Sequence, residues 1–164
     1  MGDIEKLKMC LDNLGDWNLK SLSQRKILQK KIYFLQQFNL DLGYSFGFYV
    51  YGPYSSPLTD DAYFLTRALE KAPETVQEMK PSRGEQESIK KTNEFFDEFR
   101  SSNTEEMAHQ IEVLASLHFL WNFSYMDKKT KDKVFSKLVK MKKFENDELQ
   151  IAWNLLSKYV LINC

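Results

Sequence analysis

The sequence has no long hydrophobic run, since nowhere do about 18 apolar residues follow one another as a membrane-spanning helix requires. Its first residues carry charged side chains and do not form the apolar stretch of a secretory signal. Both absences argue against a membrane or secreted protein. We therefore expect a cytoplasmic protein that does not associate with membranes.

Cysteine and histidine are scarce, with two residues of each type among 164. Cys10 and Cys164 lie near opposite ends of the chain, which fits neither a disulfide framework nor the close cysteine pairs of a zinc site. We expect two unpaired thiols, the alternative being one bridge between the ends. His109 and His118 are nine residues apart on one predicted helix, so they point to opposite faces and cannot share a metal. We expect no metal site.

Glycine does not occur where a phosphate-binding loop would need it. Such a loop places glycines directly before a helix, whereas Gly43, Gly47 and Gly52 surround an aromatic segment. The sequence therefore predicts no nucleotide site, and we expect no cofactor.

The chain has no net charge, because 23 basic residues balance 23 acidic ones. No overall field attracts nucleic acid, so any such binding would need a local patch. Residues 127–143 contain eight lysines and two aspartates, and this is the one segment basic enough for phosphate contacts. Two interpretations remain open: an amphipathic helix with a solvated face, or a nucleic-acid contact through Lys131, Lys133, Lys137 and Lys140.

A catalytic constellation is also missing from the sequence. Asp60 and Asp61 follow Ser56-Pro57, which we interpret as a helix cap, so both carboxylates would stabilise the first turn through the helix dipole. The competing hypothesis is an enzyme that uses Asp60, Asp61 or His118. Because no nucleophile, base and orienting group can be assembled from the spacing, we expect a protein without catalytic activity.

Aromatic residues are abundant, at 14% of the chain. Residues 44–51 read Tyr-Ser-Phe-Gly-Phe-Tyr-Val-Tyr, which predicts one short strand or extended segment with Phe46, Phe48 and Val50 on one side. Gly52-Pro53 should then break any regular element. Exposed tyrosines in such a segment are typical of binding surfaces.

The rest of the chain has the apolar spacing of helices. Cap signals occur at Ser21 with Gln24, at Asn103 with Glu106, and at Asn146-Asp147, and residues 72–84 predict an exposed connection. We expect a mainly α single domain over residues 1–164, a bundle of six or seven helices with at most one short strand near 44–51. The predicted helices cover residues 3–14, 21–38, 57–69, 85–100, 104–121, 130–142 and 147–160.

Two segments together resemble a family signature. Residues 28–36 read Leu-Gln-Lys-Lys-Ile-Tyr-Phe-Leu-Gln, and residues 51–55 read Tyr-Gly-Pro-Tyr-Ser, followed by Leu58. The pair resembles the Panacea/SocA-like antitoxin domains, most closely their YwgA-like branch, and is also similar to the C-terminal part of DarG-type antitoxins. The resemblance is specific over residues 22–70. Broader Panacea members more often carry valine in place of Tyr54, and YwgA-like members have no assigned function.

The resemblance implies a helical domain that neutralises a toxin by direct contact, the toxin being encoded nearby. From the tyrosine-rich segment, the helix cap and the missing catalytic constellation, we expect the partner contact on the aromatic turn and the adjoining polar helix face, at Gln29, Lys30, Tyr49, Tyr51 and Tyr54. A structural role is expected for Gly52, Pro53 and Ser55, because glycine and proline fix a turn that aims the next helix. The alternative is that the whole motif is architectural.

Overall fold

This computed structural model describes residues 3–162 of the chain. They contain seven α-helices, one 3-10 turn and two short strands. The mainly α fold class is confirmed. In chain order the elements are α1 (Ile4–Asn13), α2 (Leu22–Gln37), β1 (Gly47–Tyr49), β2 (Gly52–Tyr54), α3 (Ser56–Lys71), a 3-10 turn (Pro73–Thr75), α4 (Arg83–Asp97), α5 (Thr104–Phe123), α6 (Lys131–Lys142) and α7 (Asn146–Lys158).

Two of the predicted helix caps are confirmed. The Ser21 hydroxyl accepts a hydrogen bond from the backbone N–H of Gln24, at 3.1 Å, and begins α2. The Asn103 side chain accepts one from the N–H of Glu106, also at 3.1 Å, and begins α5. Each bond satisfies one of the N–H groups that a helix start leaves without a partner.

The predicted caps of α3 and α7 are wrong by one or two residues. Ser55, not Ser56, caps α3: its backbone is extended and its hydroxyl accepts from the N–H of Leu58. Asp60 and Asp61 therefore follow the first turn instead of lying in it, so the predicted dipole interaction does not explain them. Glu145 caps α7, and its backbone N–H donates to the Glu148 side chain at 2.8 Å.

The core is built around α2 and α5. Residues 27–35 of α2 and residues 111–118 of α5 are all buried, so both helices lie inside the bundle with the others around them. Aromatic rings fill the space beside α2: Phe34 lies 4.9 Å from Phe95 and Tyr33 lies 5.3 Å from Phe46, centroid to centroid. The buried hydrophobic side chains of the described residues form one cluster.

The aromatic segment forms a β-hairpin in which β1 and β2 pair antiparallel, with Phe48 opposite Pro53. The first strand was predicted, but the second lies where Gly52-Pro53 was expected to break regular structure. A two-stranded sheet has only edges, and an edge strand tolerates proline's missing N–H. Phe46 and Phe48 pack against the core, whereas Val50, predicted on the same side of the segment, lies in the turn and is 76% exposed.

Cys10 is buried in α1 as a free thiol, and burial raises its pKa to about 12. Cys164 lies outside the described residues. Within residues 3–162, no helix has both the length and the apolar character to cross a bilayer.

Candidate functional site

Gln29 fixes the start of α3 from the middle of α2. Its side-chain nitrogen donates to the carbonyl of Ser55 at 3.0 Å, and its side-chain oxygen accepts from the N–H of Ser55 at 2.9 Å. The amide also donates to the Thr59 hydroxyl at 2.7 Å. Gln29 is 4% exposed, so it holds the junction between β2 and α3, and the expectation of an open contact residue is corrected.

Gly52 lets the hairpin lie directly on α5. Its φ is +88°, a backbone conformation that residues with a side chain rarely adopt. A Cβ at this position would also lie 2.5 Å from the Ser116 Oγ, which is too close. Ser116 is buried, and its hydroxyl has no hydrogen-bond partner among the described residues. The close approach therefore requires glycine at position 52.

A charge cluster anchors the hairpin from behind. Glu112 of α5 pairs with Lys26 of α2 at 2.7 Å and with Lys142 of α6 at 3.6 Å. The Lys142 ammonium also donates to the carbonyls of Tyr49 and Val50 in the hairpin turn. Three helices thus converge on the hairpin. Burial lowers the pKa of Lys142, and Glu112 opposes that shift.

The tip of the hairpin exposes a run of large side chains. Tyr49 is 57% exposed and Tyr51 42% exposed, on either side of the exposed Val50. Leu22 at the start of α2 and Tyr63 of α3 are also exposed. Tyr51, Leu22 and Tyr63 line one pocket, so these surfaces are continuous. We call the five residues the hairpin face: Leu22, Tyr49, Val50, Tyr51 and Tyr63.

The pocket beside Tyr51 has a volume of about 300 Å³. Tyr54 lines it, half-buried, with its ring 5.6 Å from the ring of Tyr49. The Lys26 ammonium lies 4.7 Å from the centroid of the Tyr51 ring. The pocket residues are Leu19, Leu22, Arg25, Lys26, Leu28, Gln29, Lys30, Tyr51, Tyr54, Thr59, Ala62 and Tyr63.

Lys30 lines this pocket although it is only 1% exposed. Loss of hydration lowers its pKa to about 7; Glu112 raises that pKa, while Lys26 and Lys142 lower it further. Lys30 was predicted to contact a partner on an open helix face. The structure instead buries Lys30 at the wall of the pocket.

The four lysines of α6 that were predicted to contact nucleic acid lie in two different places. Lys133, Lys137 and Lys140 line one shallow surface groove of α6. Lys131 points elsewhere, with its ammonium 5.5 Å from the centroid of the Trp153 ring. Three of the four lysines therefore share a face, and Lys131 does not belong to it.

The residues proposed for an enzyme do not come together. His118 is in the core, where its Nδ1 lies 2.6 Å from the Tyr33 hydroxyl. Asp61 is buried and accepts a hydrogen bond from Tyr44 at 2.7 Å, while Asp60 is exposed. The two aspartates line a surface pocket to which His118 does not contribute. Across residues 3–162, no three histidine, cysteine, aspartate or glutamate side chains are placed to hold a metal.

Sequence reasoning missed Lys26, Glu112 and Lys142. They come from three helices far apart in the sequence, and none carries a local motif. The one available signal in the sequence was Glu112 itself, a lone glutamate in the apolar run of α5. Charged residues are rarely buried without a partner, so its position there indicates one.

No family model matches the sequence, and neither the curated proteins nor the solved structures give a match to this chain.

Proposed function

We propose that this protein binds another protein through the hairpin face and acts as an antitoxin. The observation that carries the proposal is the exposed run Tyr49-Val50-Tyr51 at the tip of an anchored hairpin. Soluble proteins seldom expose large adjoining apolar side chains without a partner for them. Tyrosine is also among the residues that contribute most to protein interfaces.

The anchoring of the hairpin supports this proposal. Lys142 holds the carbonyls of the turn, Phe48 packs on Phe119 with 5.6 Å between ring centroids, and Gln29 fixes the end of β2. A surface that is already ordered loses little conformational entropy on binding. The hairpin therefore suits tight recognition better than a mobile loop would.

The kind of partner follows from the resemblance of residues 22–70 to Panacea/SocA-like domains. That resemblance implies a toxin encoded beside this chain. The hairpin face is then the surface that covers the toxin, and the protein is a binding protein without catalytic activity.

Co-purification of this chain with the product of the adjacent gene tests the proposal. Tyr49→Ala and Tyr51→Ala should each weaken the complex by about tenfold or more, because each removes a ring from the centre of the contact. Affinity is measured by calorimetry, and circular dichroism checks that each variant folds.

Tyr125→Ala is the matched control, since Tyr125 is 89% exposed and lies outside the hairpin face. It should leave the affinity unchanged. The proposal fails if folded Tyr49→Ala and Tyr51→Ala bind as the unaltered chain does, or if Tyr125→Ala weakens the complex equally.

A second candidate function is nucleic-acid binding through the groove of α6. Its supporting observation is the shared face of Lys133, Lys137 and Lys140. Binding to duplex DNA should weaken steeply with salt, and replacing all three lysines by glutamine should flatten that dependence. Absence of any gel shift at low salt removes this candidate.

A further inference from the structure

The pocket beside Tyr51 carries positive charge and no negative charge. Arg25, Lys26 and Lys30 line it, and no acidic residue does. Lys26 is already paired with Glu112, and one nitrogen of Arg25 donates to the carbonyl of Leu19 at 3.0 Å. An anion that enters the pocket therefore meets attraction without a competing carboxylate in the wall.

Lys30 is the donor in this pocket that has no partner. It is 1% exposed, and within residues 3–162 its ammonium has no hydrogen bond or ion pair, although Glu112 attracts it from a longer distance. A buried donor without an acceptor is costly, and proteins usually supply one. A ligand acceptor in the pocket would remove that cost.

Tyr54 offers a second donor at the same pocket. The Thr59 hydroxyl accepts from Gln29 at 2.7 Å and donates to the Tyr54 oxygen at 2.8 Å. With the Thr59 proton used on the Tyr54 oxygen, Tyr54 keeps its own proton. That proton is left to donate to another acceptor.

The remaining wall is apolar, with Leu19, Leu22, Leu28, Ala62 and the ring of Tyr63. Phosphate or sulfate, which has no apolar part, would leave this wall uncovered. A carboxylate accepts two hydrogen bonds, and an apolar body attached to it can bury the rest of the surface.

We propose that this pocket binds a small monocarboxylate with an apolar body, its carboxylate accepting hydrogen bonds from Lys30 and Tyr54. The body packs against Leu22, Leu28 and Tyr63. Leu22, Tyr51 and Tyr63 also belong to the hairpin face. The proposal does not rest on the proposed protein partner, and it is tested in the absence of that partner.

Hydrocinnamate and its neutral amide form the ligand pair that tests the proposal, by titration into the isotopically labelled protein and measurement of backbone amide chemical shifts. Hydrocinnamate should give saturable shifts at residues 25–30 and 51–59. The amide, which has the same body, should bind about tenfold or more weakly, because it lacks the charge that faces Lys30. This comparison needs no substitution.

Lys30→Met keeps the length of the side chain and removes its charge. It should weaken hydrocinnamate by about tenfold or more and leave the amide unaffected, and Tyr54→Phe should weaken hydrocinnamate by a smaller factor. Lys31→Met is the matched control. Lys31 is also buried in α2, but it donates to the carbonyl of Leu14 at 2.8 Å and does not line the pocket.

The pH dependence gives a readout that a purely structural role of Lys30 would not produce. Its pKa near 7 is set by burial with Glu112 of α5, Lys26 of α2 and Lys142 of α6 around it. Since the carboxylate favours protonated Lys30, the affinity for hydrocinnamate should fall by up to about tenfold per pH unit above pH 7. The proposal is overturned if hydrocinnamate gives no saturable shifts at the pocket, or if acid and amide bind equally.

Discussion

At the scale of single residues, His118 shows how a titratable side chain is held neutral inside the core. The Tyr33 hydroxyl lies 2.6 Å from its Nδ1. Burial lowers the pKa of His118 to about 4, and a hydrogen bond to the backbone of Leu161 opposes that shift. The neutral ring therefore accepts from Tyr33, and the folded state resists a second proton.

We predict that His118 makes the protein less stable as the pH falls from 6.5 to 4. In this window the unfolded chain protonates the ring and the folded chain does not, so protons favour unfolding. A shift from 6.5 to about 4 corresponds to a loss of about 3 kcal/mol. Urea unfolding at a series of pH values measures the loss.

His118→Gln should show a smaller acid loss than the unaltered protein. His109→Gln is the control, because the His109 side chain is 51% exposed and pairs with Glu148 on the surface. An acid loss of the same size in His118→Gln and in the unaltered protein would contradict the assignment.

At the scale of elements, the hairpin depends on the absence of a side chain at Gly52. We predict that Gly52→Ala lowers the free energy of unfolding by about 2 kcal/mol or more, from the positive φ and the contact with Ser116. The double variant Gly52→Ala/Ser116→Ala should recover the steric part, because the Ser116 Oγ is the atom in the way. Urea denaturation of the four proteins of this cycle gives the coupling energy.

Gly84→Ala serves as the control for that cycle. Gly84 lies in α4, and a Cβ there would meet nothing within 4 Å. It should be neutral or slightly stabilising, because alanine favours a helix more than glycine does. Additive effects of Gly52→Ala and Ser116→Ala would show that the two residues do not clash.

The helices could be predicted because their signals are local. The caps at Ser21 and Asn103 and the apolar spacing of α5 lie within a few residues of one another. The cap of α3 was predicted one residue too late, because Ser55 and Ser56 are chemically alike and proline fits either of the first two helix positions. Nothing in the local sequence distinguishes the two.

The candidate site could be predicted only in part. The aromatic run located the exposed tip, since Tyr49 and Tyr51 are neighbours in the sequence. The burial of Gln29 depends on Ser55, which is 26 residues away, and the environment of Lys30 depends on α5 and α6. Contacts of this kind form only when the helices pack together, so the apolar periodicity of the sequence does not predict them.

At the scale of the whole molecule, one charged side chain links the lysine-rich helix to the hairpin. Lys142 reaches from α6 across Glu112 to the hairpin turn, with its ammonium 5.3 Å from the centroid of the Phe48 ring. One side chain therefore connects the two surfaces that the sequence suggested separately, the aromatic turn and the lysine-rich helix.

We predict that Lys142→Met loosens the hairpin without unfolding the bundle. Hydrogen exchange at residues 47–54 should accelerate by about tenfold, because the turn carbonyls and Glu112 lose a charged donor, while exchange in α4 stays unchanged. Lys137→Met on the same helix is the control. Unchanged exchange at residues 47–54 would contradict the anchoring role of Lys142.

The all-round burial of residues 27–35 in α2 has a consequence for tracing the ancestry of this chain. These positions are confined by packing, and Leu28, Gln29 and Lys30 among them also line the pocket beside Tyr51. Selection for folding alone would keep them nearly constant among descendants. A change in binding specificity would instead appear as substitutions at the three residues 49–51 of the solvent-facing turn, where substitution has little effect on the stability of the fold.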